Sequence, residues 1–160
     1  MKRLMSQRVV GEVAAALELY PVGLRRLLGF DVFEGDPIFA GIARYTTTRI
    51  GDGRSYHETA HVCYPWHARD RRTTVVLPSP IGVPHTVHEL GHVLDCVLGF
   101  EVSTEPVTYY AQTDRGEAFA EFVTALLVPG YLWWDPRADS ARSQVEPFAQ
   151  LQKAGLEVLA

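Results

Sequence analysis

The chain has 160 residues, 47% of them hydrophobic and 21% charged, with a formal net charge of -4; that is apolar enough for one packed domain over 1–160 and excludes a disordered or fibrous class. The acidic balance argues against a nucleic-acid partner, and the one basic cluster, Arg69, Arg71 and Arg72, reads as a solvated loop. No apolar run nears the roughly 20 residues of a membrane span, and Glu12 and Glu18 interrupt the N-terminal stretch where a signal peptide is continuously apolar, so the expectation is no membrane partner and a cytoplasmic protein, or one exported without a recognisable signal.

In chain order, residues 5–20 and 22–28 read as helices, with Val9, Val13, Ala16, Leu17 and Tyr20 on one face and Pro21 and Gly29 as punctuation. From 38 to 77 the texture turns β-branched and aromatic, which predicts a hairpin around the Gly-Asp-Gly turn at 51–53 and a third strand in TTVVLP. Pro78, Pro80 and Pro84 close that section, and Thr86 to about Gly99 reads as a helix. Residues 114–128 read as another helix, ended by Pro129-Gly130. A last helix is expected at 140–158, beyond a Tyr131-Leu132-Trp133-Trp134 segment read as packing. Helix, sheet, then helices predicts an α+β layout in which a small mixed sheet packs on the helices. Cys63 and Cys96 are too few for a disulfide framework and read as reduced thiols.

The pattern His-Glu-x-x-His occurs twice, as HETAH at 57–61 and HELGH at 88–92. Histidines four apart share an ion only on a helix, where they lie one turn apart; on a strand they stand about 13 Å apart. HETAH lies among Thr, Tyr, Val and Cys between a turn and Tyr64-Pro65, so it reads as strand and as a chance match. HELGH sits in TVHELGHVLDCVLGF, where Val87, Leu90, Leu94, Val97 and Leu98 form an apolar arc and His88 and His92 fall on the other side. Both imidazoles can then reach one zinc while Glu89, about 100° round the helix, addresses a water. Gly91, a poor helix former, leaves room for another element to approach.

A catalytic zinc needs a third protein ligand and an open position. The histidine expected of a metzincin is replaced by Leu98, and Cys96 is about 12 Å along the helix from His88, too far to share an ion with it. What remains is a glutamate on the next helix, where DRGEAFAEFVTALL offers Glu117 and Glu121 one turn apart, with Phe119, Phe122, Val123 and Leu126 on the opposite face. Asp95 and Glu121 lie on the ligand faces of their helices, where carboxylates can orient the imidazoles.

His88-Glu89-x-Gly91-His92-x-x-Asp95, then Tyr110, six intervening residues and Glu117-Ala118-Phe119-Ala120-Glu121-Phe122, resembles the catalytic domain of the anthrax lethal factor-like zincin metallopeptidases, which include the Pro-Pro endopeptidases. The resemblance covers about residues 85–128. It implies a zincin-like, gluzincin-type fold, Zn2+ held by His88, His92 and Glu117, Glu121 behind the ligands, Glu89 as general base and Tyr110 as donor to the oxyanion. The Glu-rich helix followed by Ala125-Leu126-Leu127-Val128-Pro129 is also similar to the cytoplasmic ImmA/IrrE regulatory proteases, without their Ala-Asn pair. Either resemblance implies a metalloprotease acting on a peptide or protein substrate; the alternative from a different class is an inactive zinc-binding interaction module. The strand at 73–77 is expected to line the cleft and pair with substrate backbone.

Overall fold

In the computed structural model of the chain, residues 7–28, 60–64, 74–77, 81–131 and 136–155 are described. Their elements run α1 (Gln7–Leu19), α2 (Val22–Leu27), β1 (His61–Cys63), β2 (Thr74–Val76), α3 (Val83–Val97), α4 (Arg115–Leu127) and α5 (Val145–Ala154), with 3-10 turns at Tyr110–Gln112 and Pro136–Ser143.

Helix α3 carries HELGH and is held from both sides. Val13, Ala16 and Leu17 of α1 and Tyr20 just after it are buried, as their spacing predicts, and the Tyr20 hydroxyl donates to the Val87 carbonyl at 2.8 Å. The start of α3 lacks a side-chain cap of its own, because Gly82 at φ +94 occupies the position. Glu12 of α1 supplies the missing acceptor: its carboxylate takes the Ile81 and Gly82 N–H groups at 2.9 Å each and the Thr86 hydroxyl at 2.8 Å. The helix therefore begins at Val83, not Thr86, and Pro84 sits in its first turn, where a missing N–H costs nothing.

On its other side α3 crosses α4. A Cβ added at Gly91 would stand 3.1 Å from the Cα of Ala120, so this glycine is what permits the close crossing expected of it. Leu90 and Leu94 of α3 and Phe119, Phe122 and Val123 of α4 belong to the same core and are fully or almost fully buried; each such side chain contributes about 2 kcal/mol relative to exposure. Asp114 caps α4 by accepting the Glu117 N–H at 3.0 Å, which fixes the turn from which Glu117 projects.

The expected small mixed sheet is corrected. Among the described residues the architecture is helical, and the sheet is one antiparallel ladder of two three-residue strands, with His61 opposite Val76 and Cys63 opposite Thr74. The physical reason is that the apolar stripes of α1, α3 and α4 bury one another, so the core closes helix on helix, with Val75 and Leu77 joining it from the strand side. The hairpin predicted around 51–53 lies outside the described residues. The last helix is also shorter than predicted: 136–143 is a 3-10 turn, and α5 spans Val145–Ala154. A helix over 140–158 would put Pro147 in its interior at a cost of about 3 kcal/mol, whereas in α5 it falls in the first turn. Gly155, at φ +133, ends α5 and packs so closely on Gly23 of α2 that a Cβ at Gly23 would overlap its carbonyl. Among the described residues no helix is long and apolar enough to cross a membrane.

Candidate metal centre

His88 and His92 project from one face of α3 toward the first turns of α4. Nε2 of His88 lies 3.2 Å from Nε2 of His92, and Oε2 of Glu117 lies 2.9 Å from the first and 3.4 Å from the second. These residues offer three ligand atoms within 4.8 Å of one another, and together they could hold a metal ion. The fit can be tested on the donor spacing: bonds of about 2.0–2.1 Å in a tetrahedral site separate neighbouring donors by roughly 3.3 Å, which is close to the three distances found. The chemistry of the set agrees, since two imidazoles and one carboxylate suit a borderline divalent cation. Nε2 of His88 lies within hydrogen-bond distance of both Nε2 of His92 and Oε2 of Glu117, a juxtaposition that a shared proton or a cation can hold together.

In the metal-free protein that role falls to a proton. Burial opposes charge on His88, but hydrogen bonds to Glu117 and Glu121 outweigh it and raise its pKa to about 9. Burial likewise works against ionised Glu117, yet hydrogen bonds from His88 and His92 and their charge hold it far below the usual carboxylate range. The cluster is largely shielded from water, with side-chain exposures of 9% for His88, 12% for His92 and 18% for Glu117.

Behind the cluster, His88 Nδ1 lies 2.8 Å from Oε1 of Glu121, which is buried on α4 one turn beyond Glu117. A carboxylate only accepts, so Nδ1 carries the proton and Nε2 faces the cluster. Glu121 is thus where an orienting carboxylate is expected. Asp95 is not: it is fully buried, and its two oxygens accept from the Arg115 guanidinium at 2.5 and 2.9 Å. Arg115 also donates to the Val102 carbonyl at 2.7 Å, so this pair ties the end of α3 to the start of α4. Burial raises the Asp95 pKa against the lowering effect of Arg115. Nδ1 of His92 is buried without a hydrogen-bond partner.

Tyr110 lies at the rim, 53% exposed, with its ring 5.9 Å from that of His88. Glu89 is half-buried on α3 between the two histidines. Of the other pentapeptide, His61 lies on β1, while 57–59 fall outside the described residues. Sequence reasoning missed four participants. Asp114 is legible as Asp-x-x-Glu at a helix start. Glu12, Arg115 and Tyr131 carry no local signal, because each acts across a tertiary contact. The chain matches no known family model, and neither a characterised protein nor a solved structure is significantly similar to it.

Proposed function

We propose that the protein is a zinc-dependent endopeptidase. The observation that carries the reading is the convergence of His88 and His92, one turn apart on α3, with a glutamate from a separate helix, beside a half-buried Glu89 inside the same motif. When bound, Zn2+ in such a site supplies Lewis acidity, acidifying a water and polarising a carbonyl. His88, His92 and Glu117 would hold the ion. Glu89 takes a proton from the attacking water as its oxygen bonds to the carbonyl carbon, and delivers it to the amine nitrogen as the C–N bond breaks. Tyr110 donates a hydrogen bond to the oxyanion, a contribution of about 3 kcal/mol for comparable donors. Its exposure and its place beside His88 suit a group that meets substrate at the rim.

The experiment that tests this reading is hydrolysis of a quenched-fluorescence peptide library by zinc-loaded wild type and Glu89→Gln. The expected outcome is metal-dependent cleavage that falls at least about a thousandfold in Glu89→Gln while its zinc content is unchanged. Zinc bound by both proteins with no cleavage by either would make the chain a metal-binding interaction module instead.

A further inference from the structure

The residue that the metal reading leaves unexplained is Tyr131. It follows the end of α4, where the turn through Pro129 and Gly130, the latter at φ +69, reverses the chain and Tyr131 N–H donates to the Val128 carbonyl at 3.2 Å. The reversal returns the phenol to a carboxylate ten residues back: the Tyr131 hydroxyl donates to Oε1 of Glu121 at 2.8 Å, the same oxygen that accepts from His88 Nδ1 at 2.8 Å. We propose that Tyr131 is a positioning residue for His88, acting through Glu121; this rests on the reading of His88, His92 and Glu117 as a metal site.

The argument is one of rotational freedom. The terminal torsion of a glutamate is broad and roughly two-fold, so a carboxylate held by one donor can swing. Glu121 is 2% exposed, its Oε2 is buried without a hydrogen-bond partner, and a second donor on Oε1 restrains the carboxylate to one orientation. That orientation keeps the proton on Nδ1 of His88 and leaves Nε2 aimed at Glu117 and His92. Burial, then the charge of Glu121, push the phenol's pKa well up, so it stays a donor. The three groups form a line from the turn after α4 to the metal-facing nitrogen. Each link is a short hydrogen bond in a shielded place, where such bonds reinforce one another.

The test is the Zn2+ dissociation constant, measured by competition with a chromophoric chelator, for wild type, Tyr131→Phe, Glu121→Ala and the double variant. Tyr131→Phe is expected to weaken binding about tenfold and Glu121→Ala by about 10–100-fold, with the double variant no weaker than Glu121→Ala alone. In the zinc-loaded wild type the Nδ1 proton of His88 gives a sharp, slowly exchanging NMR resonance, which Tyr131→Phe broadens. Wild-type affinity and an unchanged resonance in Tyr131→Phe overturn the proposal. So does a full tenfold loss from Tyr131→Phe in the Glu121→Ala background, since the phenol would then act by packing and not through the carboxylate. A wild type that binds no zinc, or that keeps it after His88→Ala, overturns the metal site itself and the relay with it, and is told apart from relay failure by that control.

Discussion

Asp95 and Glu121 are two buried carboxylates on facing helices, and they do opposite work. Glu121 meets an imidazole and a phenol and directs His88 toward the cluster. Asp95 meets an arginine and becomes a clamp between α3 and α4. Both lie on the ligand faces of their helices, so helical spacing alone gives them the same role. What separates them is the partner the next element delivers: a guanidinium engages both oxygens of a carboxylate at once, which turns it away from the histidines. A carboxylate near a metal site is thus a tuning group only where no stronger cation claims it.

The sharpest way to break the comparison is Arg115→Ala. It strands the Asp95 charge in the core, and we expect a loss of about 3 kcal/mol of stability at neutral pH, measured by urea unfolding. Without the guanidinium the folded-state pKa of Asp95 rises further. The deficit relative to wild type is then full above that pKa and shrinks as acid protonates the carboxylate, which is the sign a chemical denaturation series over pH should show. The folded fraction of this variant still binds metal. If it is as stable as wild type, Asp95 is not a clamp.

Glu121→Ala should act chiefly on the metal, with affinity down about 10–100-fold, while the loss of the acceptor for His88 Nδ1 and the Tyr131 hydroxyl costs about 1–3 kcal/mol of metal-free stability. Equal effects of the two substitutions on stability and on metal would erase the distinction between the carboxylates.

A smaller effect is the proton count. With the His88 pKa at about 9 in the metal-free protein, that histidine is charged at neutral pH and must lose its proton for Nε2 to bind a metal. Apparent affinity should therefore climb about tenfold per pH unit between 7 and 9 and level off above. Calorimetry at pH 7 in buffers of different ionisation enthalpy should report about one proton released per metal; a value near zero would show that His88 is neutral beforehand.

The candidate site was more legible than the fold around it. His88, Glu89 and His92 follow from a pattern whose chemistry requires a helix, Glu117 emerged from the spacing of two glutamates once the resemblance was drawn, and Gly91 was explicable as a crossing point. These are local or strongly periodic signals. The sheet was overread because a β-branched, aromatic texture records only what a strand tolerates, while helix-on-helix burial decided the core of the described residues. Pro84 differs from its reading for a related reason: a proline that closes one element can equally occupy the first turn of the next, as it does in α3 and as Pro147 does in α5. The roles of Asp95 and Tyr131 depend on which side chain arrives across a tertiary contact, and nothing in their neighbours along the chain encodes it.

The central claim is that His88, His92 and Glu117 hold one metal ion. Its most direct test is the zinc content, by plasma emission spectroscopy, of purified wild type beside His88→Ala, Glu117→Ala and a double His57→Ala/His61→Ala variant. The account predicts near-stoichiometric zinc in the wild type and in the 57/61 variant, and its loss from the other two. Zinc absent from the wild type, or lost only with the 57/61 pair, would contradict it.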